Sequence, residues 1–281
     1  MKNVEEIMVH HKHDWGKVEE SGNSKQYIEY LDAVTAQAEM KRYKNMSYKL
    51  LNIESGSSIL DLGCGTGDDV LTLAELVGPS GKVVGLDNSK SLIEEANQRS
   101  RHMELPVQFQ VGDAHKLDLA DNTFDGCRAD RVFMHLHDRQ QALSEMIRVT
   151  RPGGHIVVSD PDWDTMIVEA PDRDLTRQII DNFVEQLVIN PWCGRELYKL
   201  FKLVGLENVV VADTVTLVLT DFSTANQLWG FDKAADLMRK EKPSFADKVE
   251  SWLSYLKQAD DEGFFFSAVT GFTVAAEKSP S

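Results

Sequence analysis

Residues 59–67 read Ile-Leu-Asp-Leu-Gly-Cys-Gly-Thr-Gly, an apolar run that ends in three glycines at alternate positions. Glycine reaches backbone conformations closed to other residues and lets the main chain approach a ligand where a Cβ would collide. The segment leading into the glycines, SSILDL (57–62), is short and apolar enough for a buried strand, and DDVLTLAEL (68–76) resumes helical spacing directly after them. Strand, glycine turn and helix in that order open a βαβ unit, which commits the chain to an α/β architecture with a parallel sheet. Ligands of such sheets bind outside the carboxyl ends of the strands, so the turn itself lies at the expected site.

The remaining sequence continues this rhythm. KVVGLD (82–87), PVQFQVGD (106–113), TFDGCRAD (123–130) and HIVVSD (155–160) read as strands two to five. Asn88 or Ser89 caps the helix over SLIEEANQRS, and RQQALSEMIRVT (139–150) is an amphipathic helix closed by Pro152-Gly153-Gly154. Right-handed crossovers place helices on both faces of the sheet. Upstream, 25–51 reads as one or two helices and 1–24 as a loose arm or short helix. Downstream, 172–188 and 195–204 are helical, while ENVVVADTVTLVL (207–219) and FFFSAVTGFTVAA (264–276) are long β runs. The expected fold is α/β, a doubly wound, mostly parallel seven-stranded sheet with a helical cap. Residues 1–50 are expected to form an N-terminal helical arm or lid, and 51–220 with 263–281 the core. The mostly helical 221–262 is expected to form a cap inserted between the last two strands; its competing reading is a helical pair that only completes the core.

Two cofactor classes use such a turn, and spacing separates them. The dinucleotide fingerprint is G-x-G-x-x-G, whereas Gly63, Gly65 and Gly67 give G-x-G-x-G. A pyrophosphate prefers an electropositive helix start. Here Asp61 precedes the turn and Asp68 and Asp69 open the helix. That charge suits a ligand bearing an ammonium and a sulfonium. Asp87, closing the second strand, can accept hydrogen bonds from both ribose hydroxyls of an adenosine.

Taken together, ILDLGCGTG (59–67), VVGLDNS (83–89), VGDAHKL (111–117) and RPGGHIVVSD (151–160) resemble the motifs of class I S-adenosylmethionine-dependent methyltransferases, close to the ubiquinone- and menaquinone-biosynthesis branch. The likeness covers 45–160 well and the C-terminal strand pair loosely. It implies a Rossmann-like methyltransferase fold with S-adenosyl-L-methionine as cofactor. It also implies that Asp61, Gly63, Cys64 and Gly65 hold the methionine part, with the Cys64 side chain used for packing. Asp87 would bind the ribose, with Asn88 stacked beside the adenine. Asp113 would bond the exocyclic amine, and the backbone of Ala114 would touch the ring. Ala129 and Asp130 would line the methionine side, with Arg131 nearby. Relatives close a residue of the N-terminal helix over the cofactor; Tyr27 and Arg42 are the candidates here.

Methyl transfer is an SN2 displacement in which the enzyme aligns nucleophile, methyl and sulfur and, where needed, removes a proton. His135 and Asp160, near the ends of strands four and five, are the candidate catalytic bases. A histidine titrates near neutrality. Each has a structural alternative: His135 packed below the cofactor, Asp160 as a capping carboxylate. Trp163 is a candidate aromatic wall.

Composition narrows the acceptor. The formal net charge of -15 repels nucleic-acid phosphates and anionic lipid, and no Lys/Arg block offsets it. No apolar run is long enough to span a membrane, and the N-terminus lacks an apolar signal core. Cys64, Cys127 and Cys193 form neither a disulfide framework nor a zinc spacing, which favours a cytoplasmic protein. The cluster His10, His11 and His13 lacks further ligand residues around it and reads as a tail, so no metal is expected. ADRVFMHLHD stands where amino-group methyltransferases of DNA, RNA or protein glutamine carry a Pro-Pro-Tyr motif. The function expected is methyl transfer to a small-molecule acceptor by a monomer or homodimer. The alternatives are an RNA or protein methyltransferase, or a protein that binds the cofactor without methylating.

Overall fold

The computed structural model describes Trp15 and residues 18–280. The His10, His11 and His13 cluster lies outside the described residues. Strands β1 (Ser58–Leu62), β2 (Lys82–Asp87), β3 (Val107–Val111), β4 (Phe124–Asp130), β5 (Thr150–Val168), β6 (Glu207–Leu219) and β7 (Ser267–Glu277) form one sheet in the order β3-β2-β1-β4-β5-β7-β6. The first five run parallel, while β7 pairs antiparallel with both β5 and β6. The mostly parallel seven-stranded sheet is the one the motif rhythm implies. Ile59, Leu60, Val83, Val84, Cys127 and Ile156 are fully buried, because helices cover both faces.

The helices are α1 (Ser24–Ala36), α2 (Ala38–Leu50), α3 (Asp68–Val77), α4 (Lys90–Ser100), α5 (Arg139–Val149), α6 (Arg173–Leu187), α7 (Cys193–Leu203), α8 (Phe222–Trp229), α9 (Phe231–Glu241) and α10 (Ala246–Asp261). Their starts follow capping chemistry. The Ser89 hydroxyl accepts from the Leu92 amide at α4, and Asp138, Asp172 and Asp221 do the same for α5, α6 and α8. Strand order reverses between β1 and β4, and the crevice of a doubly wound sheet opens at such a point. Between β6 and β7 the chain leaves the sheet for α8, α9 and α10. These pack through Phe222, Phe231, Trp252 and Phe265, whose ring centroids lie 5.6–6.2 Å apart in successive pairs.

Two boundaries differ from expectation. β5 runs well beyond 155–160, because β7 pairs with it from His155 to Asp162 and again, after a register shift, at Ile167 and Val168. Pro161 and the aspartates around it carry a loop-like pattern that the backbone pairing overrides. β7 begins at Ser267 and not at Phe264. The amides of Phe264 and Phe265 both donate to the Ala259 carbonyl, at 2.8 and 3.0 Å, and close the end of α10. Among the described residues, no helix is long and apolar enough to cross a membrane.

Candidate functional site

A cavity of about 610 Å³ opens at the carboxyl ends of β1, β2 and β4. Its floor is the glycine turn. The amides of Gly63 and Cys64 both donate to the Leu86 carbonyl, at 2.6 and 3.0 Å, which pins the turn to the end of β2. Gly63 has φ +72° and Gly67 φ +86°, the left-handed region that other residues enter only at a cost. Space is equally restrictive. A Cβ on Gly63 would run into Val132, and one on Gly67 would lie 2.8 Å from Phe109 Cε1. Cys64 lines the cavity, but its sulfur would meet a Cβ on Gly85 at 2.9 Å, so the thiol packs beneath the turn.

The ends of β2 and β3 supply polar groups. Asp87 is buried at the cavity wall, where its two oxygens accept from the Gly65 and Ser89 amides at 2.9 Å each. Burial raises its pKa, and those amides oppose the rise. Asn88 sits exposed at the rim. Asp113 accepts the His115 amide at 2.9 Å and approaches its Nδ1 at 2.7 Å, and Ala114 lines the wall beside it.

Behind the methionine side assigned from sequence lies a buried ionic cluster. Arg128, wholly buried in β4, donates to Asp61 and Asp69 at 2.9 Å each and stands 3.2 Å from Asp130. Lys44 donates to Asp69 at 2.9 Å, Tyr48 donates to the same carboxylate at 2.6 Å, and the Tyr43 hydroxyl donates to Asp130. Burial works against ionised Asp69, but Arg128 and Lys44 outweigh it and hold the group below the usual carboxylate range. Asp61 is pushed up to about 7 by burial, with Arg128 opposing. Asp69, Asp130 and Lys44 line the cavity.

The opposite wall is aromatic. Trp15 packs against Tyr27, Tyr30 and His135, with ring centroids 5.0, 5.8 and 5.7 Å apart. Trp163, Phe183 and Trp229 continue the wall, and Lys233 reaches it from α9. Burial lowers the Lys233 pKa to about 8. A second cavity of about 70 Å³ adjoins the first, sharing Tyr30, Asp130, Arg131, Met134, Trp163 and Trp229 with it.

Most residues singled out from sequence therefore meet at one cavity: Tyr27, Gly63, Cys64, Gly65, Asp87, Asn88, Asp113, Ala114, Asp130, Arg131 and His135. Four need correction. Arg42 projects from α2 toward β6, where it lies 3.5 Å from the Thr214 carbonyl, because α2 turns that face away from the glycine turn. Ala129 is wholly buried in the sheet, its alternation along β4 sending it into the core. Asp61 stands behind the wall in the grip of Arg128. Asp160 lines only the smaller cavity, where it accepts the Phe133 and Met134 amides at 3.1 and 3.3 Å. Those bonds make it the cap of the turn that carries His135, and burial raises its pKa to about 8. Sequence reading missed Arg128, Lys44 and Lys233. Only Arg128 left a trace, as a charge inside an otherwise strand-like segment, which burial obliges to find partners.

Comparisons with known proteins identify the family and the fold. A family model described as a methyltransferase domain matches residues 53–205. An uncharacterized 37.1 kDa protein in transposon TN4556 of Streptomyces fradiae is 35% identical over 90% of this chain and 72% of its own length. A demethylmenaquinone methyltransferase of Geobacillus sp. is 35% identical over 45% of this chain, and the match spans about half, 54%, of that protein. In fold, the chain is similar to the YcgJ protein of Bacillus subtilis, with a TM-score of 0.59, 18% identity, and coverage of 86% of this chain and 100% of that one. A putative methyltransferase of Bacillus halodurans gives the same TM-score and identity over 84% and 98%. The chain belongs to the methyltransferase-domain family and is a class I S-adenosylmethionine-dependent methyltransferase.

Proposed function

We propose that the chain methylates a small-molecule acceptor, on oxygen, carbon or nitrogen, inside the 610 Å³ cavity. One observation carries this reading: a single cavity has the glycine turn and carboxylates at one end and an aromatic wall with Lys233 at the other. A space of that size suits a drug-sized ligand. The formal charge of -15 weighs against RNA. The demethylmenaquinone methyltransferases among the relatives lend weight to a flat, quinol-like acceptor.

The residues fit S-adenosylmethionine, which when bound supplies an electrophilic methyl on a sulfonium. Side chains at Gly63 and Gly67 would collide with Val132 and Phe109 and so disturb the turn that receives it. Asp87 takes the ribose hydroxyls, Asn88, Asp113 and Ala114 border the adenine, and Asp69 and Asp130 face the ammonium. Arg131, at the junction of the two cavities, is placed for the carboxylate. Tyr27, Tyr30 and Trp15 close the N-terminal side as a lid. Helices α8 and α9 cap the acceptor, and their aromatic residues exclude water from it. His135 is the candidate base, turned toward the acceptor end beside Trp15. The experiment is calorimetric titration of the chain with S-adenosylhomocysteine, followed by incubation with S-adenosylmethionine and a panel of phenols, enols and amines. A mass gain of one methylene on a panel member supports the reading. Methylation of RNA or protein alone rejects it.

A further inference from the structure

Arg128 is the most enclosed charge among the described residues, and it does not line the cavity. A guanidinium taken wholly out of water is costly unless every direction of its fork is met. Here Nη1 meets Asp61 and Asp69 at 2.9 Å, Nε donates to the Ser47 hydroxyl at 2.9 Å, and Nη2 stands 3.2 Å from Asp130. The Tyr48 ring lies under it at 5.2 Å. These partners come from β1, α3, α2 and the end of β4, with Asp61 directly opposite Arg128 in the β1–β4 ladder. A lysine at this place gathers its donors on one nitrogen and lacks the planar fork that spreads them toward partners on different sides.

Asp61, Asp69 and Asp130 face Arg128 and Lys44, and Arg131 stands 3.9 Å from Asp130, so the cations of the cluster match its carboxylates in number. Asp69 and Asp130 belong to the cavity wall. Asp130 Oδ2 is buried there without a hydrogen bond, although Arg128 is nearby. The cavity wall thus presents a fixed pair of carboxylates, Asp69 and Asp130, with one buried acceptor oxygen still open to a donor.

We infer that Arg128 is a positioning residue for the amino-acid end of the cofactor. Without touching the ligand, it holds Asp69 and Asp130, with Asp61 behind them, as a preformed seat for the α-ammonium. Because Ser47, Lys44 and Tyr48 all lie on α2, the same side chain ties the N-terminal helices to the glycine turn. The inference rests on the cofactor occupying this end of the cavity. It goes further in assigning a residue behind the wall to one half of the ligand.

The test compares two ligands that share the nucleoside. S-adenosylhomocysteine carries the amino-acid end; 5′-methylthioadenosine lacks it. Calorimetry on the full chain and on Arg128→Lys is expected to show S-adenosylhomocysteine binding weakened roughly tenfold or more, the scale of one lost charge-assisted hydrogen bond. Binding of 5′-methylthioadenosine should stay within about twofold of wild type, the residual error of independent sites. Equal weakening of both ligands would make Arg128 a scaffold residue and overturn the inference. So would unchanged S-adenosylhomocysteine binding, the result expected if only net charge mattered, since lysine keeps it, or tighter binding. Ser47→Ala removes a single partner and keeps the charge. It carries the same comparison if the Arg128 variant does not fold, with a smaller loss confined to S-adenosylhomocysteine. A wild-type chain that binds neither ligand rejects the cofactor placement itself, and no variant is needed to see it.

Discussion

Gly63→Ala is the sharpest perturbation of the turn, because two independent costs meet at one methyl group. The first is conformational. Gly63 has φ +72°, and a non-glycine residue held in the left-handed region costs about 1–2 kcal/mol. The second is steric. The added Cβ overlaps one methyl of Val132 and lies 3.2 Å from the other, and overpacking of this kind costs about 1–3 kcal/mol. The turn cannot simply step aside, since the amides of Gly63 and Cys64 are both bonded to the Leu86 carbonyl. The expected loss is therefore about 2–5 kcal/mol in unfolding free energy, with weakened S-adenosylhomocysteine binding because Gly63 and Val132 both line the cavity. Urea denaturation of wild type, Gly63→Ala, Val132→Ala and the double variant separates the two costs. Removing the Val132 methyls relieves the overlap and leaves the backbone cost, so the cycle should return a favourable coupling of about 1–3 kcal/mol. A Gly63→Ala protein as stable as wild type would refute the reasoning. A full-sized loss without coupling to Val132 would refute its steric half.

Three further outcomes follow from the same geometry. Asp87→Asn keeps one acceptor and loses the charge, and should weaken S-adenosylhomocysteine binding by about 1–3 kcal/mol in calorimetry; unchanged affinity would remove Asp87 from the ribose site. His135→Ala should lower turnover more than cofactor affinity, while an equal fall in both, in steady-state and binding assays, would make the histidine a holder of the cofactor and not a base. Asp160, raised to about 8 by burial, keeps its proton in the fold and loses it when unfolded. Its contribution to stability is present below the ordinary carboxylate range and fades as pH rises through about 8, by at most about 1.4 kcal/mol per pH unit. Asp160→Asn should flatten that part of the urea-midpoint profile against pH, and parallel profiles for the two proteins would contradict it.

How much of this was legible in the sequence depended on how local the cause was. The glycine turn, the caps at Ser89 and Asp138 and the strand-end carboxylates Asp87 and Asp113 are set within a few residues, and reading along the chain finds them. Arg42 and Arg128 show where it fails. Both are arginines in regular elements, and nothing nearby in sequence tells that one reaches the Thr214 carbonyl while the other is enclosed by carboxylates from two other elements. Asp160 misled for a related reason. Its position after the fifth strand matched a catalytic base, but the amides of Phe133 and Met134, brought by another loop, turn its oxygens inward. Lys233 left no signal, since its place on the wall depends on how α9 docks.

The register of the last two strands pairs Leu219 with Ser267. The chain thus departs into α8, α9 and α10 and comes back at neighbouring points of adjacent strands, much as a drawer leaves and re-enters one cabinet. Helices of other length or lining can occupy that excursion while every strand keeps its partner. On the proposal that these helices cap the acceptor, swapping 220–266 between homologous chains should shift acceptor preference while the nucleoside end is left alone.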